Sequence, residues 1–234
     1  SQRLAAVDAR LRAAALRSGR DPATLTRVVV TKSAATEAFA PLRDAGVSDV
    51  GEGRILDPAA RRGDFDEAFR WHLVGHIQSN KARRAVATFD VLHGVDSIEL
   101  LRRIDGLAGE LGRSPSMLLQ INVSGEASKH GLAPDQLLRA LEVARGLRHA
   151  RLTGLMTMAP ESDNPSSARM VFRGLATLAR ECSLASGVAL PELSMGMSDD
   201  FEVAIEEGAT IIRIGRLIMG EPAIASLEPA GGAS

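Results

Sequence analysis

Eight short apolar runs alternate with helical stretches along most of the chain, and this alternation limits the choice of fold more than any other feature. Apolar strands joined by helices are typical of parallel strands that are covered on both faces. Eight such units predict an α/β protein, a single (β/α)8 TIM barrel with an extra N-terminal helix over 1–19. An open doubly wound sheet is the alternative, but its Gly-x-Gly-x-x-Gly turn is missing after the first strand. The predicted strands cover 25–32, 47–53, 71–77, 91–97, 116–123, 151–159, 191–198 and 210–220.

The composition agrees with one domain and excludes several functional classes. With 234 residues, 45% of them apolar, we expect a single domain over 1–234 whose core covers about 25–220. The net charge of −1 argues against a general nucleic-acid or membrane-surface binder. The single cysteine excludes an internal disulfide framework, and no apolar run reaches the length of a membrane span. We therefore expect a cytoplasmic protein.

Lysine is rare in this chain, which draws attention to each lysine that is present. Only Lys32, Lys81 and Lys129 stand among 28 basic residues. Strand alternation places Val28, Val30 and Lys32 on one face, so Lys32 points into the barrel mouth if the valines fill the barrel. Partial desolvation there would lower the pKa of an amine and free a nucleophile for a Schiff base with an aldehyde or ketone. The alternative is a lysine that reaches from a strand end into water.

The last predicted strand carries an arginine on its inward face. Ile211, Arg213 and Gly215 share one side of that strand by alternation. A guanidinium inside a barrel is costly unless it has a partner. Glu52, at the end of the second strand, is a candidate partner, and a bound ligand is the other.

Two glycine-containing segments at the ends of the last two strands resemble anion-binding loops. In SMGMSDD and IRIGR, Gly196 and Gly215 allow a ligand to approach the backbone. Ser198 is suited to cap the following helix, whose free N–H groups favour an anion. Phosphate sites after strands seven and eight recur in barrels of this kind, so we predict phosphate binding.

The histidines of the third strand do not predict a metal site. His72 and His76 lie four residues apart in a predicted strand, which keeps them on one face. A zinc site needs at least a third ligand, and none is evident in the sequence nearby. We therefore expect no metal.

Several longer segments match a known family. They are VVVTKSA, VGEGR, WHLVGHIQSNK, INVSGEASKHG, GLMTMAP and LSMGMSDDFEVAIEEGATIIRIG, spread over about 25–220. On these segments the chain resembles the pyridoxal phosphate homeostasis proteins, which are single-domain relatives of the alanine racemase N-terminal barrel.

The resemblance implies a binding site for pyridoxal 5′-phosphate (PLP). It implies that Lys32 holds PLP as an internal aldimine and that Arg213 faces the pyridine nitrogen. An arginine in that place keeps the nitrogen unprotonated and weakens the ring as an electron sink. The other positions that it implies for the cofactor are Ser198, Gly215 and the backbone of Arg216 at the phosphate, and Asn80 at the rim. Lys81 and Lys129 fall in family motifs at the same rim, and Lys129 is either a second acceptor for the aldehyde or a solvated loop residue. Met197 stands at a predicted strand end, where we expect it to line the pocket floor.

Two positions depart from the family pattern. The family has Asn where this chain has Gly53, so a side-chain contact near the ring is lost. It has Thr or Ser where this chain has Arg216, so a hydroxyl donor to the phosphate is missing. Arg216 either supplies a charged substitute or is turned outward by strand alternation.

The resemblance further implies a carrier that is not a catalyst. Racemases of this fold use a tyrosine base, and this sequence contains no tyrosine. No second base opposite Lys32 is identifiable, which argues against two-base proton transfer. We predict that the protein buffers PLP and hands it to PLP-dependent apoenzymes, as a monomer or weak dimer. The alternatives are a Schiff-base aldolase or phospho-sugar enzyme on the same barrel, and a scaffold protein that takes up no cofactor.

Overall fold

Eight parallel strands close into a barrel in chain order, which confirms the predicted TIM barrel. The computed structural model describes residues 2–31, 36–55, 65, 67–126, 130–160 and 165–220. No helix in these ranges is long and apolar enough to cross a membrane. The strands are β1 (Thr26–Val30), β2 (Asp49–Glu52), β3 (Arg70–Leu73), β4 (Val91–Val95), β5 (Ser116–Gln120), β6 (Arg151–Met156), β7 (Glu192–Ser194) and β8 (Ile211–Ile214).

The helices alternate with these strands and form the outer layer of the fold. Each strand is buried on both faces, as the continuous apolar runs predict. The described α-helices are α1 (Gln2–Arg17), α2 (Phe39–Asp44), α3 (Ala82–Thr88), α4 (Ile98–Leu111), α5 (Leu137–Ala144), α6 (Pro165–Ser186), α7 (Phe201–Glu206) and α8 (Arg216–Met219).

The core has two layers, one inside the barrel and one between the strands and the helices. Strand alternation divides β1 between them, because Val28 and Val30 lie in the inner layer and Val29 in the outer one. The predicted inward face of β1 is therefore confirmed. The other buried members of the inner layer are Val91, Leu118, Met156 and Ile211.

The predicted N-terminal helix is present as α1, and it packs on the outside of the barrel against α7 and α8. Its apolar residues at helical spacing are buried, and its Arg10 and Arg17 bind Glu202 and Glu206 of α7 at 3.0 and 2.9 Å. These ion pairs are partly exposed, so each contributes only about 0–1 kcal/mol. Burial of the apolar face is the larger contribution to this contact.

Three local predictions are wrong. The strand predicted over 210–220 ends at Ile214, and the apolar run after it forms α8, because a short apolar run does not distinguish helix from strand. The sequence also favours Ser79 as the cap of the helix after β3, but Ser79 lies within a 3-10 turn, and no side chain caps that turn. The sequence predicts an apolar helix face that includes Leu138, but Leu138 of α5 is 49% exposed, and Ala140 is buried in its place. The sequence also predicts a helix after β2 that ends at about Ala68, and this segment falls mostly outside the described residues.

Two glycines of α4 provide a test of the outer layer. A Cβ added at Gly106 would meet no heavy atom within 4 Å, whereas one at Gly109 would lie 2.7 Å from the His149 ring. We expect Gly106→Ala to raise the free energy of unfolding by about 0.5–1 kcal/mol, because alanine loses less backbone entropy in a helix. Urea denaturation measures this change. Gly109→Ala is the matched control and should give a smaller gain or a loss, and equal gains would contradict the packing at His149.

Candidate functional site

Arg213, on β8, is a buried arginine whose hydrogen-bond partners are neutral. Only 4% of the residue is exposed. Its Nη1 donates to the Ser194 hydroxyl at 2.6 Å, and its Nη2 donates to the carbonyl oxygen of Thr157 at 3.1 Å. Burial lowers the pKa of Arg213 to about 10, against the opposing effect of Asp200, so the guanidinium is charged at neutral pH. Its remaining N–H groups have no partner among the described residues, and such groups suit a ligand that accepts hydrogen bonds.

Glu52 is not the partner of Arg213, and this alternative from the sequence is wrong. The Glu52 side chain accepts a hydrogen bond from the Thr31 hydroxyl at the end of β1. The reason is topological, since β2 and β8 pair with opposite edges of β1. Of the two partners that the sequence suggested for Arg213, the ligand remains.

A chain of buried hydrogen bonds runs from Arg213 through the barrel to Asp49 on β2. The Ser194 hydroxyl and His93 Nδ1 are 2.8 Å apart, His93 Nε2 and His72 Nδ1 are 2.9 Å apart, and His72 Nε2 and Asp49 Oδ1 are 2.9 Å apart. A guanidinium only donates, so Ser194 must donate onward to His93. His93 then donates to His72, and His72 donates to Asp49. We call this chain of Arg213, Ser194, His93, His72 and Asp49 the histidine relay. The position of each of its hydrogen-bonding protons is thereby assigned, and both imidazoles are neutral.

The ionisation of the relay agrees with this assignment. Burial lowers the pKa of His93 well below its usual value, and the neighbouring His72 and Arg213 lower it further. Burial also lowers the pKa of His72, although Asp49 opposes this effect. Burial by itself would raise the pKa of Asp49, but hydrogen bonds from His72 and Ser48 hold it below its usual value. The relay therefore joins a cation and an anion through neutral groups.

The segment between β7 and α7 forms a polar turn at the same end of the barrel. The Met197 amide donates to Asp200 Oδ1 at 2.6 Å, and Gly196 has a φ of 93°, which favours glycine. Ser198 is 7% exposed, and among the described residues its hydroxyl has no hydrogen-bond partner. The prediction that Ser198 caps the next helix is wrong, because Asp200 occupies the capping position before Phe201.

The turns after β7 and β8 lie side by side and offer free backbone donors. The exposed Arg216 forms an ion pair with Asp199, which joins the two turns. Within the described ranges, the amides of Ser198, Asp199, Gly215 and Arg216 have no acceptor. Backbone amides without an acceptor on two adjoining turns suit a phosphate group. The Arg216 side chain is directed outward to Asp199, as one of the two predictions states, but strand alternation is not the cause, because Arg216 begins α8 and β8 ends at Ile214.

The comparisons with known proteins agree with this geometry. The model of the alanine racemase N-terminal domain family matches residues 22–222. The pyridoxal phosphate homeostasis protein of Pseudomonas aeruginosa is 39% identical over 222 residues, which cover 94% of each chain. This chain belongs to the pyridoxal phosphate homeostasis protein family. The homeostasis protein of Aquifex aeolicus is 36% identical over 223 residues, 94% of this chain and 97% of that one.

A solved structure of a relative contains the cofactor. PipY of Synechococcus elongatus with PLP bound has a TM-score of 0.79 and 37% identity, and the match covers 89% of this chain and 98% of PipY. The resemblance that the sequence motifs indicate is thus confirmed for the family and for the fold.

The structure brings together some of the residues that the family motifs suggest and leaves others apart. Arg213 and the turns with Met197, Ser198, Gly215 and Arg216 lie at the carboxyl end of the barrel. Asn80 and Lys81 lie in an exposed 3-10 turn after β3. Gly53 is exposed, and a Cβ there would meet no heavy atom within 4 Å. Lys32 and Lys129 lie outside the described residues, so their family roles stay predictions.

The sequence reasoning missed the relay that holds Arg213. A signal was present, since His93 is the one polar side chain with a titratable group in the apolar strand VLHGV. His72 and His93 occupy neighbouring strands, and both are fully buried. Their connection to Asp49 and Ser194 depends on distances between four strands, which no motif contains.

Proposed function

We propose that this protein binds PLP, holds it covalently through the amine of Lys32, and carries or buffers it without significant racemase activity. The observation that carries this proposal is Arg213, a buried cation that, in the part of the chain the structure describes, has only neutral hydrogen-bond partners and keeps donors without an acceptor. Bound PLP supplies an aldehyde for an amine and an electron-withdrawing ring. The free amides beside Ser198, together with its hydroxyl, suit the phosphate of such a ligand.

The properties of Arg213 also favour a carrier function over a catalytic one. A guanidinium with a pKa of about 10 remains protonated and donates a hydrogen bond without giving up its proton. A pyridine nitrogen beside it stays unprotonated, and the ring is then a poor electron sink. The relay to Asp49 keeps this guanidinium in one orientation. Proton removal from an amino acid is therefore disfavoured at this site.

The role of Lys32 is supported by its position after β1. Val28 and Val30 face the barrel interior, and Lys32 follows Val30 by two residues in the sequence. Strand alternation assigns the same side to residues two apart. The Lys32 amine would condense with the aldehyde and release one water molecule.

A spectrum of the protein tests the attachment. We expect PLP to remain bound after desalting, with a visible absorbance band that borohydride removes. Lys32→Ala should lack the band, because the amine that forms the covalent bond is absent. Lys81→Ala and Lys129→Ala are matched controls, since they remove the only other lysines, and both should keep it. A band that survives in Lys32→Ala, or no band in the wild type, would contradict the proposal.

Two further assays test the carrier role. Alanine racemisation by the loaded protein, followed as the appearance of the other enantiomer, should not exceed that of free PLP at equal concentration. A PLP-dependent apoenzyme mixed with the loaded protein should regain activity as the visible band of the carrier declines. Sustained racemisation, or a band that the apoenzyme does not diminish, would argue against a carrier.

A further inference from the structure

A cluster of side chains that can bind a metal ion lies at the carboxyl end of the barrel, apart from the relay. It consists of His76, Asp96 and His130, which we call the rim triad. His76 Nδ1 is 3.0 Å from Asp96 Oδ2, and His130 Nδ1 is 3.9 Å from the same oxygen. One potential ligand atom from each residue lies within 4.8 Å of the other two. The histidine side chains are 37% and 61% exposed, so an ion from solution can reach them.

The barrel holds each member of the rim triad by its backbone. His76 follows β3 by three residues, and Asp96 directly follows β4. His130 lies after β5, where its carbonyl oxygen accepts a hydrogen bond from Gln120 Nε2 at 3.1 Å. Three neighbouring strands thus bring together residues that are far apart in the sequence. The site does not depend on a single loop.

The two rings lie close enough to share one ligand, although in the stacked arrangement their Nδ1 lone pairs run nearly parallel. The imidazoles of His76 and His130 stack at 4.1 Å with 15° between their planes, and both direct Nδ1 to one oxygen of Asp96. A divalent cation between the three atoms replaces the protons and uses a lone pair from each. Ligand atoms around such an ion are about 3–3.5 Å apart, given metal–ligand distances of about 2.0–2.2 Å. Metal binding therefore requires the His130 ring to rotate out of the stack until its Nδ1 lone pair converges with that of His76, and the 61% exposure of the His130 side chain leaves room for this rotation.

We propose that the rim triad binds one divalent transition-metal ion of the class that prefers imidazole, with Zn²⁺ as the probe. Two imidazoles and one carboxylate leave coordination positions open to water. The sequence led us to expect no metal, because only His72 and His76 were considered as ligands. His72 belongs to the relay, and the fold supplies Asp96 and His130 in its place. This proposal does not depend on PLP binding.

A Zn²⁺ titration by calorimetry tests the rim triad. The experiment uses the full chain without a histidine tag or added PLP. We expect one Zn²⁺ per chain in the wild type and at least a tenfold weaker affinity in His76→Ala and in His130→Ala. His149→Ala is the matched control, because His149 is an exposed histidine outside the triad, and it should bind like the wild type.

The visible spectrum of bound Co²⁺ reports on the ligands directly. Co²⁺ should give d–d bands in the wild type and in His149→Ala, and these bands should be lost in His130→Ala. All three substitutions are at exposed positions, and an unchanged urea midpoint confirms that the variants are folded. The proposal is overturned if the wild type binds no Zn²⁺, or if both triad variants bind it as tightly as His149→Ala does.

Discussion

Replacing Ser194 by alanine should lower the free energy of unfolding by about 3 kcal/mol, a large effect for the loss of one hydroxyl. Ser194 is fully buried, and its hydroxyl connects Arg213 Nη1 to His93 Nδ1. Without it, a charged donor and a neutral acceptor remain in the core with one partner fewer each. An unsatisfied buried polar group costs about 1–3 kcal/mol, and a hydrogen bond to a charged group is at the upper end of this range.

Ser116→Ala is the matched control for Ser194→Ala. Ser116 on β5 is 3% exposed, and its hydroxyl has no hydrogen-bond partner in the described part of the chain. We expect this variant to lose less than about 1 kcal/mol. Urea denaturation at pH 7.5 measures both variants, and an unchanged m-value shows that the change is in stability. Equal losses in the two variants would mean that the relay contributes no more than ordinary serine packing.

Acid should destabilise this protein more steeply than a protein with exposed histidines. Burial lowers the pKa values of His72 and His93 in the folded state, whereas in the unfolded chain both return to a value near 6.5. Below that pH the unfolded state binds more protons, so the free energy of unfolding falls as the pH falls. Each proton contributes at most about 1.4 kcal/mol per pH unit, so the two histidines together set an upper limit of about 2.7 kcal/mol per unit on their share of the slope.

The slope of the free energy of unfolding against pH, measured between pH 6.5 and 5, reports mainly on these histidines, because the carboxylates titrate mainly below this window. His93→Gln retains a group that donates and accepts hydrogen bonds but removes one titrating site. Its slope, from urea denaturation in steps of half a pH unit, should fall toward about 1.4 kcal/mol per unit. The slope is informative even if the variant is less stable at every pH. A variant with the wild-type slope would show that His93 is not a neutral buried imidazole.

The barrel and the inward position of Arg213 were predictable from the sequence, because both follow from short-range periodicity. Apolar runs that alternate with helical stretches specify the number and order of the strands. Alternation along β1 and β8 specifies which side chains face inward, and Val28, Val30 and Arg213 lie where that rule places them. The family motifs at the strand ends were equally visible.

The partners of these residues were not predictable in the same way. The sequence suggested Glu52 as the partner of Arg213, but β1 lies between their strands. It suggested Ser198 as a helix cap, yet the turn places Asp200 there. The Glu52 prediction rested on the residue type, and the Ser198 prediction rested on residue type and nearness in the sequence. In both cases the partner is decided by where the side chains lie in space.

The sequence by itself thus determined the strand order, the inward faces and the family, since each depends on residues within one strand or one motif. Only the tertiary structure decided that Asp49, His72, His93, Ser194 and Arg213 form one relay, and that His76, Asp96 and His130 meet at the rim. The reason is that a hydrogen bond or a metal site requires atoms within about 3–4 Å. Closure of the barrel brings side chains from different strands to such distances. These distances cannot be predicted from the spacing of residues along the chain.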